Sequence, residues 1–151
     1  MRIPAIKDIA LVGIQFLLFA LYVLPINSIG IQVHWFLRAA SFLTALIGMI
    51  LVLFSMLQLK RNLSPFPTPI SDGYLIKEGL YKYIRHPIYS GIILTSFGFG
   101  IFRESLWKLG VSTLLTLLFL YKSKYEEKQL SGHFPDYAAY KKSTGRFFPF
   151  A

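Results

Sequence analysis

Apolar residues of this chain fall into four runs, separated by short turns or by longer segments rich in charge and proline. The first run spans about 9–26. The second, about 35–59, is long enough to cross a hydrocarbon core of roughly 30 Å. The third, 88–102, is short for a membrane span, and we expect it to form a tight helical hairpin with the fourth, 106–121. The pattern predicts an all-α integral membrane protein with about four transmembrane helices in a single domain, 1–151.

Two features of the first two runs affect this interpretation. Arg2 and Lys7 precede the first run, as in a signal peptide, but no small-x-small cleavage site follows and more apolar runs come later. We therefore interpret it as a true span. The second run carries small residues that would let a neighbouring helix approach closely: Ala39, Ala40, Ala45 and Gly48.

Basic residues are concentrated on one side of the predicted bundle. The chain has 16 Lys and Arg against 7 Asp and Glu, a net charge of +9. Most of the basic residues lie before the first run, in the central loop (60–87) or in the tail (122–151), whereas the 27–34 turn has none. The positive-inside rule predicts that both termini and the central loop are cytoplasmic. The charge is mainly a topology signal, and no nucleic-acid partner is expected.

Composition narrows the chemistry further. Hydrophobic residues make up 54% of the chain, too many for an ordinary soluble domain. The absence of cysteine excludes disulfides and cysteine metal sites. The three histidines show no ligand spacing, so no metal site is predicted.

The stretch YKYIRHPIYSG, residues 81–91, places polar side chains between apolar segments. The residue before a proline avoids the α region, so His86 should be extended and Pro87 should open the third helix. A helix start flanked by Arg85 and His86 is a favourable site for a carboxylate or phosphate. The alternative is that these residues anchor the helix at the headgroups and that the neighbouring tyrosines form an aromatic belt.

A second polar cluster, KYEEKQL, continues from the fourth run. Its Glu126 and Glu127 next to a membrane segment indicate a cationic partner. The alternative is a surface pair between Lys122 and Glu126, four residues apart. The hairpin returns the chain to its starting side, so the two clusters should face each other. A ligand with both a carboxylate and a positive centre, such as S-adenosylmethionine, would satisfy both.

The pairing of GLYKYIRHPIYSG with YEEKQLSGHFPDYAAYKKSTGRFFPF resembles the isoprenylcysteine carboxyl methyltransferase and phospholipid methyltransferase group of integral membrane enzymes. The resemblance covers about residues 71–151, and the first two helices carry no signature. It implies an S-adenosylmethionine site built from the central loop, the start of the third helix and the acidic segment. The positions that match the family's cofactor contacts are Gly73, Tyr74, Leu75, Ile76, Tyr81, His86, Pro87, Ile88, Tyr89 and Glu126.

Some positions depart from the family pattern. Lys122 stands where the family has a substrate-side arginine, and it lacks the bidentate fork that favours a prenylcysteine carboxylate. Gly73 stands where a histidine often opens the cofactor stretch. The FPDYAAY segment, 134–140, is one residue tighter than usual. Arg146, before the final Phe-Phe-Pro, has the family's expected place.

These observations predict a methyltransferase that transfers a methyl group from the sulfonium of S-adenosylmethionine to an oxygen, nitrogen or sulfur nucleophile. Arg85 and His86 would hold the cofactor's carboxylate side and Glu126 its cationic or ribose side, while Lys122 and Arg146 would face the acceptor. Two tyrosines, Tyr81 and Tyr89, would line the pocket. For an amine or thiol acceptor, Glu127 or His86 would be the candidate general base.

The acceptor is expected to be lipid-like or a small hydrophobic molecule that enters from the bilayer between the second helix and the hairpin. A bacterial or archaeal inner membrane is the expected location. Two alternatives remain open: a membrane enzyme similar to NADPH-dependent sterol reductases, and a small membrane protein without catalytic activity.

Overall fold

A computed structural model describes residues 5–26, 30–69 and 73–149, and within these ranges the chain is all-helical, with five α-helices and no strand. The helices are α1 (Ile6–Val23), α2 (Trp35–Leu59), α3 (Pro87–Phe102), α4 (Leu106–His133) and α5 (Tyr137–Ser143). Short 3-10 turns cover Lys60–Asn62 and Gly79–Lys82. The all-α prediction is confirmed.

Helix boundaries follow local sequence signals. The second run coincides with α2, and α3 begins at Pro87 after His86 takes a non-helical conformation (φ −125°, ψ 59°), as predicted. The first run was placed three residues too late, since α1 ends at Val23. Pro25 explains this end because it disfavours the helical conformation for Leu24, whose ψ is 134°.

Helix α3 packs most extensively against α2, although it also contacts α4 through the predicted hairpin. The two backbones touch at glycines: a Cβ on Gly48 would lie 2.6 Å from the Thr95 nitrogen, and one on Gly91 would lie 2.7 Å from the Gly48 oxygen. At Gly98, a Cβ would lie 2.7 Å from the Ala45 nitrogen. The predicted close approach is thus confirmed at the Ala45 and Gly48 positions, whereas the other two small residues, Ala39 and Ala40, are exposed.

Helix α1 packs against α4 around a buried cluster of Leu18, Val111, Leu115 and Phe119. By contrast, α1 and α2 are not among the closely packed helix pairs. An apolar groove lies between them, with α3 and α4 forming its floor. Its lining residues are Phe19, Tyr22, Val23, Met49, Val52, Ile92, Thr95, Ser96 and Leu115.

Among the described helices, α1 and α2 are long and apolar enough to cross a membrane, and α3 is apolar but has 16 residues. At 1.5 Å per residue, α3 is about 24 Å long, so its full crossing stays a prediction. Large apolar side chains on α1 and α2 point outward, and more than half of the surface of Phe16, Leu17, Leu43 and Ile47 is exposed. This apolar exterior suits lipid, in agreement with the predicted membrane fold.

The central loop and the tail meet at one end of the bundle, which we call the loop end (residues 60–69, 73–86 and 122–149). The amides of Arg85 and His86 donate to the carbonyls of Gly145 (2.9 Å) and Arg146 (3.1 Å), and the Gly145 amide donates to the Tyr83 carbonyl (3.1 Å). Backbone hydrogen bonds therefore join the tail to the segment that leads into α3. The prediction that the two polar clusters face each other is confirmed.

Candidate active site

A cleft at the loop end opens between the central loop, the end of α4 and α5. It holds about 740 Å³ of empty space, counting the part open to solvent. Seven of the predicted site residues line it: Gly73, Tyr74, Leu75, Ile76, Tyr81, Arg85 and Glu126. The cleft therefore joins residues from both polar clusters.

The other predicted site residues lie outside the cleft lining. They are His86, Pro87, Ile88, Tyr89, Lys122, Glu127 and Arg146. Pro87 is buried at the first position of α3, and Ile88 beside it is half-buried. The remaining five contact lining residues or one another, as the following geometry shows.

Two residues at the start of α3 contact the Glu126 carboxylate. The Tyr89 hydroxyl donates to Oε2 at 2.9 Å, and Nδ1 of His86 lies 3.7 Å from the same oxygen. About a quarter of the Glu126 side chain (27%) stays exposed, and Oε1 has no hydrogen-bond partner among the described residues. Glu126 thus presents one carboxylate oxygen in a fixed position on the cleft wall.

A stack of three rings fixes these supporting side chains. The His86 and Tyr89 rings are 5.4 Å apart and nearly parallel (6°), and the Tyr89 and Phe119 rings are 4.6 Å apart at 9°. Phe119 is fully buried in the α1–α4 core. The position of Glu126 is therefore tied to the core of the bundle rather than to a loop.

Glu127 is the hub of a buried ionic network. Its oxygens accept hydrogen bonds from Arg85 Nε (3.0 Å) and from Arg146 Nε and Nη2 (both 3.1 Å). Lys141 Nζ lies at 2.9 Å and His86 Nε2 at 3.5 Å. Burial by itself would raise the pKa of Glu127, but the nearby His86 ring and the contacts with Arg146, Lys141 and Arg85 hold it far below its ordinary value. Glu127 is therefore ionised at neutral pH and joins the end of α4 to the residues before α3, to α5 and to the tail.

Arg85 lines the cleft, and hydrogen bonds from its Nε and Nη1 hold the guanidinium in place. Besides the Glu127 bond, Nη1 donates to the carbonyls of Lys141 (3.0 Å) and Thr144. None of its hydrogen bonds within the described residues uses Nη2. A rigid cation with an available donor therefore lines the cleft together with Glu126.

Lys122 lies deeper, between α4, α1 and the proline-rich loop. It is 1% exposed, and Nζ donates to Gln15 Oε1 (2.6 Å) and to the Pro65 carbonyl (2.9 Å). Nζ also lies 5.6 Å from the centre of the Tyr89 ring. It is therefore a buried cation below the Tyr89 support, not a surface pair with Glu126.

Several cleft residues were not predicted from the sequence: Asn62, Phe66, Leu130, Phe134, Tyr137 and Tyr140. The two tyrosines had a visible signal, because residues three apart share one face of a helix. Phe66 had none, since its place in the wall depends on how the proline-rich loop folds back on α4. Among described residues, no group of three or more His, Cys, Asp or Glu could hold a metal ion.

The family model for phospholipid methyltransferases matches residues 36–136, more than half of the chain. The chain belongs to the phospholipid methyltransferase family. The match takes in α2, which the sequence resemblance had left without a signature, and it ends before Arg146. It includes both polar clusters, whereas the cleft residues Tyr137 and Tyr140 on α5 lie beyond it.

This member of the phospholipid methyltransferase family is also similar to one curated protein and to one solved structure. The cobalt-zinc-cadmium resistance protein CzcN of Cupriavidus metallidurans is 35% identical over 82 residues, which is 52% of this chain and 37% of that protein. The structure of a eukaryotic intramembrane Ras methyltransferase, isoprenylcysteine carboxyl methyltransferase, is similar with a TM-score of 0.70 and 22% identity. That likeness covers 96% of this chain and 50% of the solved one, and it shows the shared fold.

Proposed function

We propose that this family member is an S-adenosylmethionine-dependent methyltransferase that acts on a lipid-like or small hydrophobic acceptor. The observation that carries the proposal is the pairing of a fixed cation, Arg85, with a fixed and partly open carboxylate, Glu126, on the wall of one cleft. Family membership supports methyl transfer as the reaction.

The residues of the cleft fit this cofactor. Its amino-acid end needs a cation for the carboxylate and an anion for the ammonium, which Arg85 and Glu126 provide. Its adenine needs an apolar or aromatic slot, which Phe66, Phe134 and Tyr74 offer along the same walls. When bound, S-adenosylmethionine supplies a methyl group on a positively charged sulfur, ready for transfer to a nucleophile.

The protein mainly contributes by positioning the cofactor against the acceptor and by excluding water from the cleft. Arg85 holds the carboxylate side and Glu126 the cationic or ribose side, while residues 73–76 and Tyr81 cover the cofactor as part of the wall. Because the leaving group is already activated, no residue has to protonate it. A carboxylate acceptor would need no general base either.

The proposal gives Glu127, His86 and Tyr89 positioning roles. Glu127 was a predicted general base, but a carboxylate with a strongly lowered pKa and bonds from three basic side chains is a poor proton acceptor. Tyr89 and His86 orient Glu126. Arg146 acts through Glu127, whereas Lys122 remains a candidate for the acceptor side.

The expected route for the acceptor, between α2 and the α3–α4 hairpin, is closed by the glycine contacts of α2 with α3. The groove between α1 and α2 is apolar along its whole lining and offers the alternative. We place the hydrophobic part of the acceptor in this groove. Along α4, Lys122 lies between the groove residue Leu115 and the cleft residue Glu126, and along α3, Tyr89 lies between Ile92 and Arg85.

Orientation follows from the charge distribution. We propose that the loop end faces the cytoplasm and that the membrane is a bacterial or archaeal inner membrane, because the basic residues surround the loop end. A cytoplasmic cleft would also face the compartment in which S-adenosylmethionine is made.

The proposal is tested by calorimetric titration of the detergent-purified protein with S-adenosylmethionine, S-adenosylhomocysteine and NADPH. We expect micromolar binding of the first two and loss of that binding in Glu126→Gln. Glu104→Gln, at the opposite end of the bundle, is the matched control and should bind normally. Binding of NADPH alone would indicate a reductase, and binding of none of the three would leave a protein without this cofactor site.

A further inference from the structure

Tyr137, on the wall of the cleft, has a buried hydroxyl to which no described residue bonds. It is 1% exposed, it lines the cleft, and its hydroxyl has no hydrogen-bond partner among the described residues. Burying an unpaired hydroxyl is unfavourable, and buried polar groups are nearly always bonded. An orphan hydroxyl on a cleft wall therefore indicates a partner that arrives with the ligand.

Tyr140, on the same face of α5, shows the contrasting case. Its hydroxyl donates to the Tyr81 carbonyl at 2.6 Å and so holds the central loop. The two rings pack edge to face with centres 5.8 Å apart. Two buried tyrosines of α5 thus line the cleft. The hydroxyl of Tyr140 is used within the fold, whereas that of Tyr137 can bond to a ligand.

The surroundings of Tyr137 make it a hydrogen-bond donor. Burial raises the pKa of its phenol, and the charges of Glu127 and Glu126 raise it further, while Arg85 acts in the opposite direction. The phenol therefore stays protonated at any physiological pH. An electron-rich ligand atom close to a cation is the complementary partner for such a donor.

We propose that the Tyr137 hydroxyl, together with Nη2 of Arg85, binds the carboxylate at the amino-acid end of S-adenosylmethionine. The inference rests on the proposed function and extends it. Arg85 supplies the charge and Tyr137 a directed hydrogen bond, while Glu126 takes the ammonium. These three side chains line one cleft and together match an α-amino acid, which carries both charges on one carbon.

Calorimetry with two product-like probes tests this assignment. S-adenosylhomocysteine carries the amino-acid end, whereas 5′-methylthioadenosine keeps the nucleoside and lacks the carboxylate. A hydrogen bond to a charged group corresponds to about tenfold to a hundredfold in affinity. We expect Tyr137→Phe to weaken S-adenosylhomocysteine binding by at least about tenfold and to leave 5′-methylthioadenosine binding unchanged.

Thermal unfolding of the ligand-free protein separates binding from structure. Tyr137→Phe removes an unpaired hydroxyl and should unfold at the wild-type temperature or above it. Tyr140→Phe is the matched control: it loses the bond to Tyr81, and its unfolding temperature should fall. A Tyr137→Phe protein that binds S-adenosylhomocysteine as wild type does would overturn the inference. Equal weakening of both probes would overturn it too, since Tyr137 would then contact the nucleoside. Absence of binding by the wild type would instead refute the proposed function.

Discussion

The two ends of the helix bundle use polar side chains in different ways. At the end opposite the loop end, Glu104 accepts from the Val33 amide (3.1 Å) and Lys108 donates to the Tyr22 carbonyl (2.6 Å), so side chains close the ends of helices and turns. At the loop end, Glu127 bonds to side chains, while Glu126 and Tyr137 each keep one atom without a described partner. Both ends are polar, but only the loop end combines rigidly held side chains with polar atoms that no described residue bonds. We therefore place the ligand site there.

The same contrast separates two adjacent residues. Glu127 is fully engaged and buried, whereas Glu126 is partly exposed and faces the cleft. Successive helical residues point about 100° apart, so the end of α4 directs one carboxylate into the network and the other into the cleft. We expect Glu127 to stabilise the loop end and Glu126 to bind the cofactor, and each expectation can be tested by substitution.

The largest effect is expected for Glu127→Gln. Removing one partner of a buried ion pair destabilises a protein by about 3–5 kcal/mol. We expect the unfolding temperature in detergent to fall by roughly 10 °C or more. The matched control, Glu104→Gln, keeps a carbonyl for the Val33 amide and should lose much less. Equal losses at both ends would contradict the comparison.

Acid should weaken the loop end through the same residue. The pKa of Glu127 is lowered in the folded protein from an ordinary value of 4.5. Its contribution to stability is therefore complete above about pH 4.5 and is lost progressively as the pH falls below it. Unfolding temperatures measured from pH 7 to pH 3 should drop below pH 4.5, and Glu127→Gln should flatten that part of the profile. A profile that the substitution leaves unchanged would show that other carboxylates dominate.

A smaller effect is expected where α3 packs against α2. In Gly91→Ala, the new Cβ would lie 2.7 Å from the Gly48 oxygen and 2.9 Å from the Val52 nitrogen. Both are backbone atoms, so the helices must separate, and overpacking of this kind costs about 1–3 kcal/mol. Gly110→Ala has no atom within 4 Å of its Cβ and should gain up to about 1 kcal/mol from helix propensity. Thermal unfolding of both variants should therefore shift in opposite directions.

The smallest effect is expected for Tyr89→Phe. The variant keeps the ring stack with His86 and Phe119 but loses the bond to Glu126. A neutral donor to a carboxylate contributes about 1–2 kcal/mol, so the unfolding temperature should fall by a few degrees. S-adenosylhomocysteine should also bind more weakly, because Tyr89 no longer orients Glu126. Unchanged affinity would show that Glu126 needs no support from α3.

Much of the fold follows from local patterns. Run length and apolar content located α2, Pro87 fixed the start of α3, and Gly48 marked a place on α2 where another helix could approach, because each signal acts within a few residues. The pairing of α3 with α2 rather than mainly with α4, and the groove between α1 and α2, could not be read in this way. Four apolar runs do not encode which pairs pack closely.

The candidate site was predictable where it depends on helix starts and ends, as with Arg85 and Glu126. It was not predictable where it depends on long-range folding. Phe66 reaches the cleft only because the proline-rich loop folds back. Lys122 looks like a surface residue in the sequence, yet it is buried against α1 through Gln15. Such contacts join residues more than 50 positions apart, beyond the reach of local pattern.

The central claim is that Glu126 binds the cofactor and that the folded structure does not depend on its charge. The most direct measurement is the unfolding temperature of wild type and Glu126→Gln, each with and without saturating S-adenosylhomocysteine. Wild type should be stabilised by the ligand, and Glu126→Gln should unfold near the wild-type temperature without ligand and gain nothing from its addition. A full ligand-induced shift in Glu126→Gln would contradict the claim.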